Sequence, residues 1–221
     1  MSALDGIKAV FWDWDGTLVD SFAFLHKTHN HVRAQFGMDG FTVEEFDGYF
    51  GKPREVLYRN IYGAENIEEA KAHFEAFVVE NHHEIKPMDG AERLLEVFAG
   101  IGLPMGVVTN KKGILVRKEI TNHGWDRFFT CETVGAGEAS EDKPSSAPLM
   151  LALNKSGLDI EPNEVLFVGD TENDVLCAHG AGAKIAFIEN DIQKHEIARQ
   201  YKALLMFRNC DEFSDYLLQS T

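Results

Sequence analysis

The chain has 221 residues, of which 44% are hydrophobic and 26% are charged. A chain of this length can bury a substantial core, so we expect a globular protein with one main domain and an insertion. The 36 acidic residues outnumber the 21 Lys and Arg residues, and the formal net charge is -15. Nucleic-acid and anionic-membrane surfaces need a basic patch, so we expect neither a nucleic-acid partner nor a membrane partner.

Cysteine usage and the N-terminal sequence indicate a cytoplasmic protein. Cys131, Cys177 and Cys210 are odd in number, far apart and without CxxC spacing, so neither a disulfide framework nor a zinc site is expected. No stretch approaches 18 uncharged apolar residues. Asp5 and Asp13 interrupt the region where a signal peptide would need an unbroken apolar run.

The first predicted element is a strand over residues 7–12, which are mostly apolar and include β-branched side chains. Residues from about 21 to 85 contain several helical segments, such as SFAFLHKTHNHVRAQF and ENIEEAKAHFEAFVVENHH, and no convincing strand. A crossover between parallel strands needs only one helix. We therefore predict a core of residues 1–19 and 87–221 and an inserted helical cap of residues 20–86.

Strands and helices alternate through the rest of the chain. Strands are predicted at 103–109, 165–169, 184–188 and 203–207, with a weaker one at 130–134. Helices are predicted at 90–99, 113–122, 147–155, 174–180 and 211–219. Such alternation is typical of a parallel sheet with helices on both faces. The predicted fold class is α/β, a Rossmann-like three-layer α/β/α core with an inserted helical cap.

The segment FWDWDGTLVDS, residues 11–21, places two carboxylates directly after the first predicted strand. Asp13 and Asp15 are two residues apart, and side chains at i and i+2 of a strand share a face, so both carboxylates could converge on one point. An EF-hand loop is excluded, because counting from Asp13 puts Leu18 at the glycine position and Phe24 where a Glu is required. Two carboxylates held so close together need a cation, a shared proton or water between them.

A second acidic cluster follows another predicted strand. The segment VLFVGDTEND, residues 165–174, is an apolar strand followed by Gly169, Asp170 and Asp174. Ligands of open α/β sheets bind at the carboxyl ends of the strands, so Asp13 and Asp170 are expected to meet there. Carboxylates in that arrangement suit Mg²⁺, which takes a few protein oxygens and keeps waters or substrate oxygens as its other ligands.

Polar residues near two other predicted elements fit the same site. Thr109 and Asn110 offer a hydroxyl and an amide to a phosphoryl oxygen, and Lys143 offers a compact positive charge. Each also has a structural interpretation, since Thr109 and Asn110 could cap the next helix and a lone Lys on a loop is usually solvated. The histidines within residues 26–31 and 82–83 lack an i, i+4 pair, which favours a structural or exposed role over a metal site.

Taken in order, the segments DWDGTLVDS, VVTN, KP and GDTEND resemble the motifs of the haloacid dehalogenase-like hydrolase superfamily. The resemblance is to its phosphoglycolate phosphatase-like members with a helical cap, and it covers essentially the whole chain. It implies that Asp13 is the nucleophile and Asp15 the general acid and base. It also implies that Thr109 binds the phosphate through its hydroxyl and that Lys143 stabilises the developing charge.

The same resemblance implies a Mg²⁺ cofactor and a set of substrate contacts. Four aspartates are the expected metal ligands, Asp15 through its backbone carbonyl and Asp174 through water: Asp13, Asp15, Asp170 and Asp174. Six residues are the expected substrate contacts, two of them in the cap: Gly16, Lys52, Arg54, Thr109, Asn110 and Lys143. A surface role for the two cap residues is an equal alternative.

Two features depart from the usual pattern of this superfamily. Trp14 stands where an aliphatic residue is common, which changes packing more than chemistry. The usual KPxP spacing is stretched to Lys143-Pro-Ser-Ser-Ala-Pro148, which leaves the geometry after Lys143 open.

The implied function is Mg²⁺-dependent hydrolysis of a small phosphate monoester, phosphoglycolate-like or a sugar phosphate, through an aspartyl-phosphate. A β-phosphoglucomutase-like phosphotransferase shares all these motifs, and a non-catalytic metabolite-binding relative is the remaining alternative. Dehalogenases and most phosphonatases of the superfamily lack the second aspartate, so Asp15 argues against both. We expect a small phosphorylated metabolite as the partner and either a monomer or a weak homodimer.

Overall fold

The computed structural model describes residues 4–49, 54–189 and 195–219. The chain divides into two compact units. The larger unit consists of Met1–Val19 and Pro87–Thr221, and the smaller unit of Asp20–Lys86. Within the described ranges, no helix combines the length and apolar character needed to cross a membrane.

The described residues form eight strands. In chain order they are β1 (Ala9–Trp12), β2 (Val19–Asp20), β3 (Lys86–Pro87), β4 (Met105–Lys112), β5 (Thr133–Ala136), β6 (Val165–Gly169), β7 (Lys184–Ile188) and β8 (Leu205–Phe207). Six of them form a parallel sheet in the order β5-β4-β1-β6-β7-β8, and β2 pairs with β3. The large sheet confirms the predicted α/β fold class.

The same residues form ten α-helices. In chain order they are α1 (Phe22–Gln35), α2 (Val43–Asp47), α3 (Arg54–Tyr62), α4 (Ile67–Asn81), α5 (Ala91–Ile101), α6 (Gly113–Asn122), α7 (Ala147–Lys155), α8 (Glu172–Ala181), α9 (His195–Gln200) and α10 (Cys210–Gln219). The five helices predicted after residue 87 correspond to α5, α6, α7, α8 and α10. Helix α9, between β7 and β8, has no counterpart among the predicted elements.

The strand β1 lies in the middle of the sheet and is buried on both faces. On one face Phe11 packs in a cluster that includes Phe167 of β6. Trp12 points to the other face, where its ring meets Phe98 of α5 edge-on at 5.2 Å. A parallel strand covered on both sides is a continuous apolar run, as the sequence predicts here. This packing fixes the point at which the chain leaves the sheet toward Asp13.

The smaller unit packs its own core among α1, α3 and α4, with Tyr58 fully buried. Two histidines of α1 have partners there. His29 is buried with its Nδ1 at 2.6 Å from the Tyr62 hydroxyl, and His26 Nε2 lies 2.8 Å from the Phe41 carbonyl oxygen. These contacts agree with the structural role predicted for these two histidines.

Candidate active site

Three neighbouring parallel strands place three of the predicted site residues near their carboxyl ends. β1 lies between β4 and β6, so the segments that follow these strands emerge at one edge of the sheet. Asp13 directly follows β1, Thr109 lies in β4, and Asp170 directly follows β6. The Asp13 N–H donates to the Val168 carbonyl at 2.8 Å. This bond extends the pairing of β1 with β6 to the residue that carries the first carboxylate.

Three buried carboxylates form the centre of the site. Asp13, Asp170 and Asp174 each place one oxygen within 4.8 Å of the others. Thr17 Oγ1 donates to Asp170 Oδ1 at 2.7 Å. Asp174 Oδ2 accepts from the Thr171 N–H at 2.9 Å and from its hydroxyl at 2.6 Å. This capping box holds the Asp174 carboxylate at the N-terminus of α8, where the helix dipole favours negative charge.

Lys143 is buried between two of these carboxylates. Its Nζ lies 2.6 Å from Asp13 Oδ1 and 2.6 Å from Asp174 Oδ1. Asn110 holds the backbone of the same lysine, because its Nδ2 donates to the Lys143 carbonyl and its Oδ1 accepts from the Lys143 N–H, both at 2.9 Å. The peptide bond between Lys143 and Pro144 is cis. The Asn110 side chain therefore positions Lys143, and its contact with a phosphoryl oxygen stays a prediction.

Burial and like-charge contacts disfavour ionisation of the carboxylates. Burial, assisted by the charge of Asp174, raises the pKa of Asp13 to about 7 even though Lys143 opposes the change. Burial and the charges of Asp13 and Asp174 raise the pKa of Asp170 well above its usual range. Burial alone would lower the pKa of Lys143, but the attraction of Asp13 and Asp174 outweighs it and the pKa is raised.

One ammonium group cannot neutralise three ionised carboxylates, so the cluster either keeps protons or takes a further cation. Its donors are all carboxylate oxygens, which suit a hard divalent ion such as Mg²⁺. Asp13, Asp170 and Asp174 are thus the described residues that could hold such an ion.

Asp15 has a different environment from Asp13. Lys111 Nζ donates to Asp15 Oδ1 at 2.8 Å and to Glu119 Oε2 at 2.7 Å, and Trp14 Nε1 donates to the same Glu119 oxygen at 2.6 Å. Burial raises the pKa of Glu119 to about 7 against the lowering effect of Lys111. Because β1 ends at Trp12, the i, i+2 rule for strands does not apply to residues 13–15. The Asp15 side chain bonds to Lys111 and is not among the three carboxylates that lie within 4.8 Å of one another. Its convergence with Asp13 on one point stays a prediction.

The remaining predicted residues have mixed outcomes. The Gly16 N–H is already bonded to the Val19 carbonyl at 2.9 Å, so its substrate contact stays a prediction, as does the metal contact of the Asp15 carbonyl. Thr109 is buried, and its Oγ1 accepts from the Lys111 N–H at 3.1 Å, which leaves the hydroxyl proton to donate. Lys52 lies outside the described residues.

Arg54 is the first residue of α3, but its side chain lies outside the described part of the chain. The proposed substrate contacts of both cap residues therefore stay predictions.

Sequence reasoning missed three residues that contact the site: Thr17, Lys111 and Glu119. A weak signal exists for two of them. Lys111 directly follows the VVTN segment, and Glu119 lies four residues after Leu115 on α6, at a position that helical periodicity assigns to the buried face. Thr17 lies inside the DWDGTLVDS segment, but a hydroxyl after a glycine is also common in turns and does not by itself indicate a site residue.

Comparisons with known proteins identify the family of this chain. The sequence model of the haloacid dehalogenase-like hydrolase family matches residues 10–188. The phosphoglycolate phosphatase of Yersinia pestis is 30% identical over 192 residues, which are 82% of this chain and 81% of that protein. A pyrophosphatase of Bacillus velezensis is 28% identical over 214 residues, which are 96% of this chain and 95% of that protein.

A solved structure has the same fold. It is a haloacid dehalogenase-like family hydrolase from Streptococcus pneumoniae, with a TM-score of 0.84 and 22% identity, and the match covers 96% of this chain and 99% of that one. The resemblance drawn from the four motifs is thereby confirmed, and the chain belongs to the haloacid dehalogenase-like hydrolase family.

Proposed function

We propose that this protein is a Mg²⁺-dependent phosphatase that hydrolyses a small phosphate monoester through an aspartyl-phosphate on Asp13. The observation that carries the proposal is the contrast between its two neighbouring aspartates. Asp13 is buried beside Lys143 and two further carboxylates, whereas Asp15 lies outside that cluster and bonds to Lys111. Different surroundings allow identical side chains to act as nucleophile and as proton carrier.

In the first half-reaction, an oxygen of ionised Asp13 attacks phosphorus in line with the leaving oxygen. The bond between phosphorus and that oxygen breaks, and the oxygen takes the proton of Asp15, so an alcohol departs and Asp13 becomes an acyl phosphate. Lys143 and the Thr109 hydroxyl donate to the phosphoryl oxygens as negative charge moves onto them.

In the second half-reaction, ionised Asp15 takes a proton from a water whose oxygen attacks phosphorus. Inorganic phosphate leaves, and both the Asp13 carboxylate and protonated Asp15 are restored. Mg²⁺ held by Asp13, Asp170 and Asp174 would supply further positive charge to the phosphoryl oxygens. Asn110 keeps Lys143 in place through both steps by its two bonds to the lysine backbone.

A panel of substrates tests the reaction class. 2-Phosphoglycolate and sugar phosphates represent the monoesters, and pyrophosphate is included because the Bacillus velezensis relative is named a pyrophosphatase. Phosphate release with Mg²⁺, abolished by EDTA, supports the proposal. Isomerised sugar phosphate without free phosphate would favour the phosphotransferase, and absence of turnover with every compound would favour a metabolite-binding protein.

A pair of variants tests the roles of the two aspartates. Asp13→Asn removes the nucleophile, so no phosphoenzyme should form. Asp15→Asn keeps the nucleophile, so with 4-nitrophenyl phosphate, whose leaving oxygen needs little protonation, it should phosphorylate Asp13 and then stall. We expect a burst of about one 4-nitrophenol per enzyme and one added phosphoryl group by intact-mass measurement. An adduct on Asp13→Asn but not on Asp15→Asn would reverse the assignment.

A further inference from the structure

A buried lysine contacts Asp15, which lies outside the carboxylate cluster. Lys111 lies near the end of β4, and its side chain is only 9% exposed. Among the described residues its ammonium bonds to two carboxylates, Asp15 at 2.8 Å and Glu119 at 2.7 Å. A buried ammonium loses its hydration and therefore needs such partners. The two bonds hold the lysine between the Asp15 loop and helix α6.

Glu119 anchors this lysine from within the fold. Its side chain is 1% exposed, and its Oε2 accepts from both Lys111 Nζ and Trp14 Nε1. Trp14 is fully buried and meets the ring of Trp125 edge-on at 5.8 Å. Since Trp14 is the chain neighbour of Asp15, Glu119 fixes that aspartate twice, once through the backbone and once through Lys111.

Stability alone is a poor explanation for this arrangement. Buried ion pairs lose about as much free energy in desolvation as they gain in attraction, and apolar residues of similar size often stabilise a protein as well or better. Asp15 is the most exposed member of the group, with 25% of its side chain accessible against 9% for Lys111 and 1% for Glu119. Two buried ionisable side chains are thus arranged to hold one carboxylate that solvent can reach.

We propose that Lys111 and Glu119 are positioning residues that hold the Asp15 carboxylate where it exchanges protons with the leaving group and with water. This inference rests on the proposed function, because it assigns these two residues to the proton carrier of that reaction. The inference also extends the site beyond the four motifs, since Glu119 lies on helix α6 outside all of them.

The proposal predicts a loss that depends on the leaving group. If Lys111 only supports the fold, its removal should slow all substrates by a similar factor. If it positions the proton donor, the loss should grow as the leaving oxygen becomes more basic. 4-Nitrophenyl phosphate and phenyl phosphate form a suitable pair, because they are similar in shape and differ in the basicity of the leaving oxygen.

The experiment measures kcat/KM for both substrates with Mg²⁺ in the full chain. Lys111→Met should raise the ratio of the nitrophenyl to the phenyl rate constant about tenfold or more above the wild-type ratio. Lys111→Arg keeps a positive charge, so its ratio should lie between those of Lys111→Met and the wild type. Glu119→Gln keeps an acceptor for Trp14 and should raise the ratio several-fold. The control Lys118→Met removes an exposed lysine on the same helix and should leave the ratio unchanged.

Asp15→Asn separates failure of this inference from failure of the proposed function. Because this variant is expected to stall as the phosphoenzyme, its rate constants and those of the double variant are taken from the single-turnover burst of phenol release. If Asp15→Asn leaves the ratio unchanged, the assigned role of Asp15 is wrong. If Asp15→Asn raises the ratio but Lys111→Met and Glu119→Gln do not, only the positioning role is overturned. In the double variant, adding Lys111→Met to Asp15→Asn should raise the ratio no further, whereas additive losses would indicate a structural role. Should Lys111→Met not fold, Glu119→Gln decides alone.

Discussion

At the scale of single residues, the site contains more carboxylates than positively charged side chains. Lys143 bonds to Asp13 and Asp174, and Lys111 bonds to Asp15 and Glu119. Each lysine therefore serves two acids, and neither is a solvated surface charge. The structural interpretation of Lys143 as a solvated loop residue is wrong, because its side chain is 3% exposed.

Replacing Lys143 with Met should reduce both turnover and stability. The variant keeps the aliphatic stem but leaves two buried carboxylates without their ammonium, so we expect kcat to fall about 100-fold to 1000-fold. The free energy of unfolding at pH 7.5 should fall by about 3 kcal/mol, and by less at pH 5, where protonation relieves the repulsion. Urea denaturation and steady-state kinetics measure the two effects. The control Lys155→Met, at an exposed position of α7, should change neither, and an equal loss there would contradict the explanation.

At this scale, hydrogen bonds between residues far apart in the sequence could not be predicted. Asp13, Asp15 and Asp170 could be selected from the sequence because each follows an apolar strand and falls in a recognisable motif. The bonds from Trp14 and Lys111 span 105 and 96 residues along the chain, to Glu119 and to Asp15 respectively. No local sequence pattern predicts which buried donor bonds to which acceptor. The contacts of Glu119 are therefore known only from the packing of α6.

At the scale of elements, the turn after β1 allows the Asp170 carboxylate to lie close to the backbone of Gly16. Gly16 has a φ of +90°, and a Cβ added there would lie 2.5 Å from Asp170 Oδ2. The glycine thus permits both the left-handed turn and the close approach of the Asp170 carboxylate. A side chain at this position would have to displace a carboxylate of the candidate metal site.

Gly16→Ala should therefore damage metal use as well as stability. Gly6→Ala is the matched control, because Gly6 has a φ of +80° and nothing within 4 Å of the added Cβ. We expect Gly6→Ala to cost about 1 kcal/mol of unfolding free energy through backbone strain alone. Gly16→Ala should cost more than about 2 kcal/mol and raise the Mg²⁺ concentration for half-maximal activity about tenfold. Equal effects of the two variants would show that the Asp170 contact is unimportant.

The elements of the large sheet could be predicted because each strand is an apolar run between helical patterns. β1 and β6 are buried along their whole length, which gives the continuous apolar signal of a central parallel strand. The end of β4 was predicted at residue 109, but the strand continues to Lys112 past a register shift against β5. Polar side chains at 110–112 are typical of a loop, but Asn110 bonds to Lys143 and Lys111 to Asp15 of the site, and functional sites are where such local patterns fail.

At the scale of the whole molecule, the acidic composition contrasts with the anionic substrate that we propose. A formal charge of -15 repels a phosphate ester at long range. The lysines of the site are buried and already paired, so their charge acts only at short distance. A bound divalent cation would therefore contribute a large part of the attraction for substrate, and it would also decide how the fold responds to pH.

Stability without metal should fall as pH rises from about 4 to about 7. The pKa of Asp13 is about 7 in the folded protein against an ordinary value of 3.8, so between these pH values the folded state binds more protons than the unfolded state. Folding stability therefore decreases with rising pH across that window, by up to about 4 kcal/mol for this one group. Asp170 and Glu119, whose pKa values are also raised, act in the same direction.

Mg²⁺ should reverse this trend, because a cation binds the ionised carboxylates and stabilises the folded state that holds them. Thermal unfolding in EDTA and in excess Mg²⁺, at pH 5 and pH 7.5, measures the effect. We expect an increase in Tm of several degrees with Mg²⁺ at pH 7.5 and a much smaller one at pH 5. Asp13→Asn should flatten the pH dependence in EDTA and reduce the Mg²⁺ effect, whereas the exposed control Asp159→Asn should behave like wild type. If Mg²⁺ raised Tm equally at both pH values, or equally in Asp13→Asn, the stabilising ion would be bound elsewhere than at Asp13, Asp170 and Asp174.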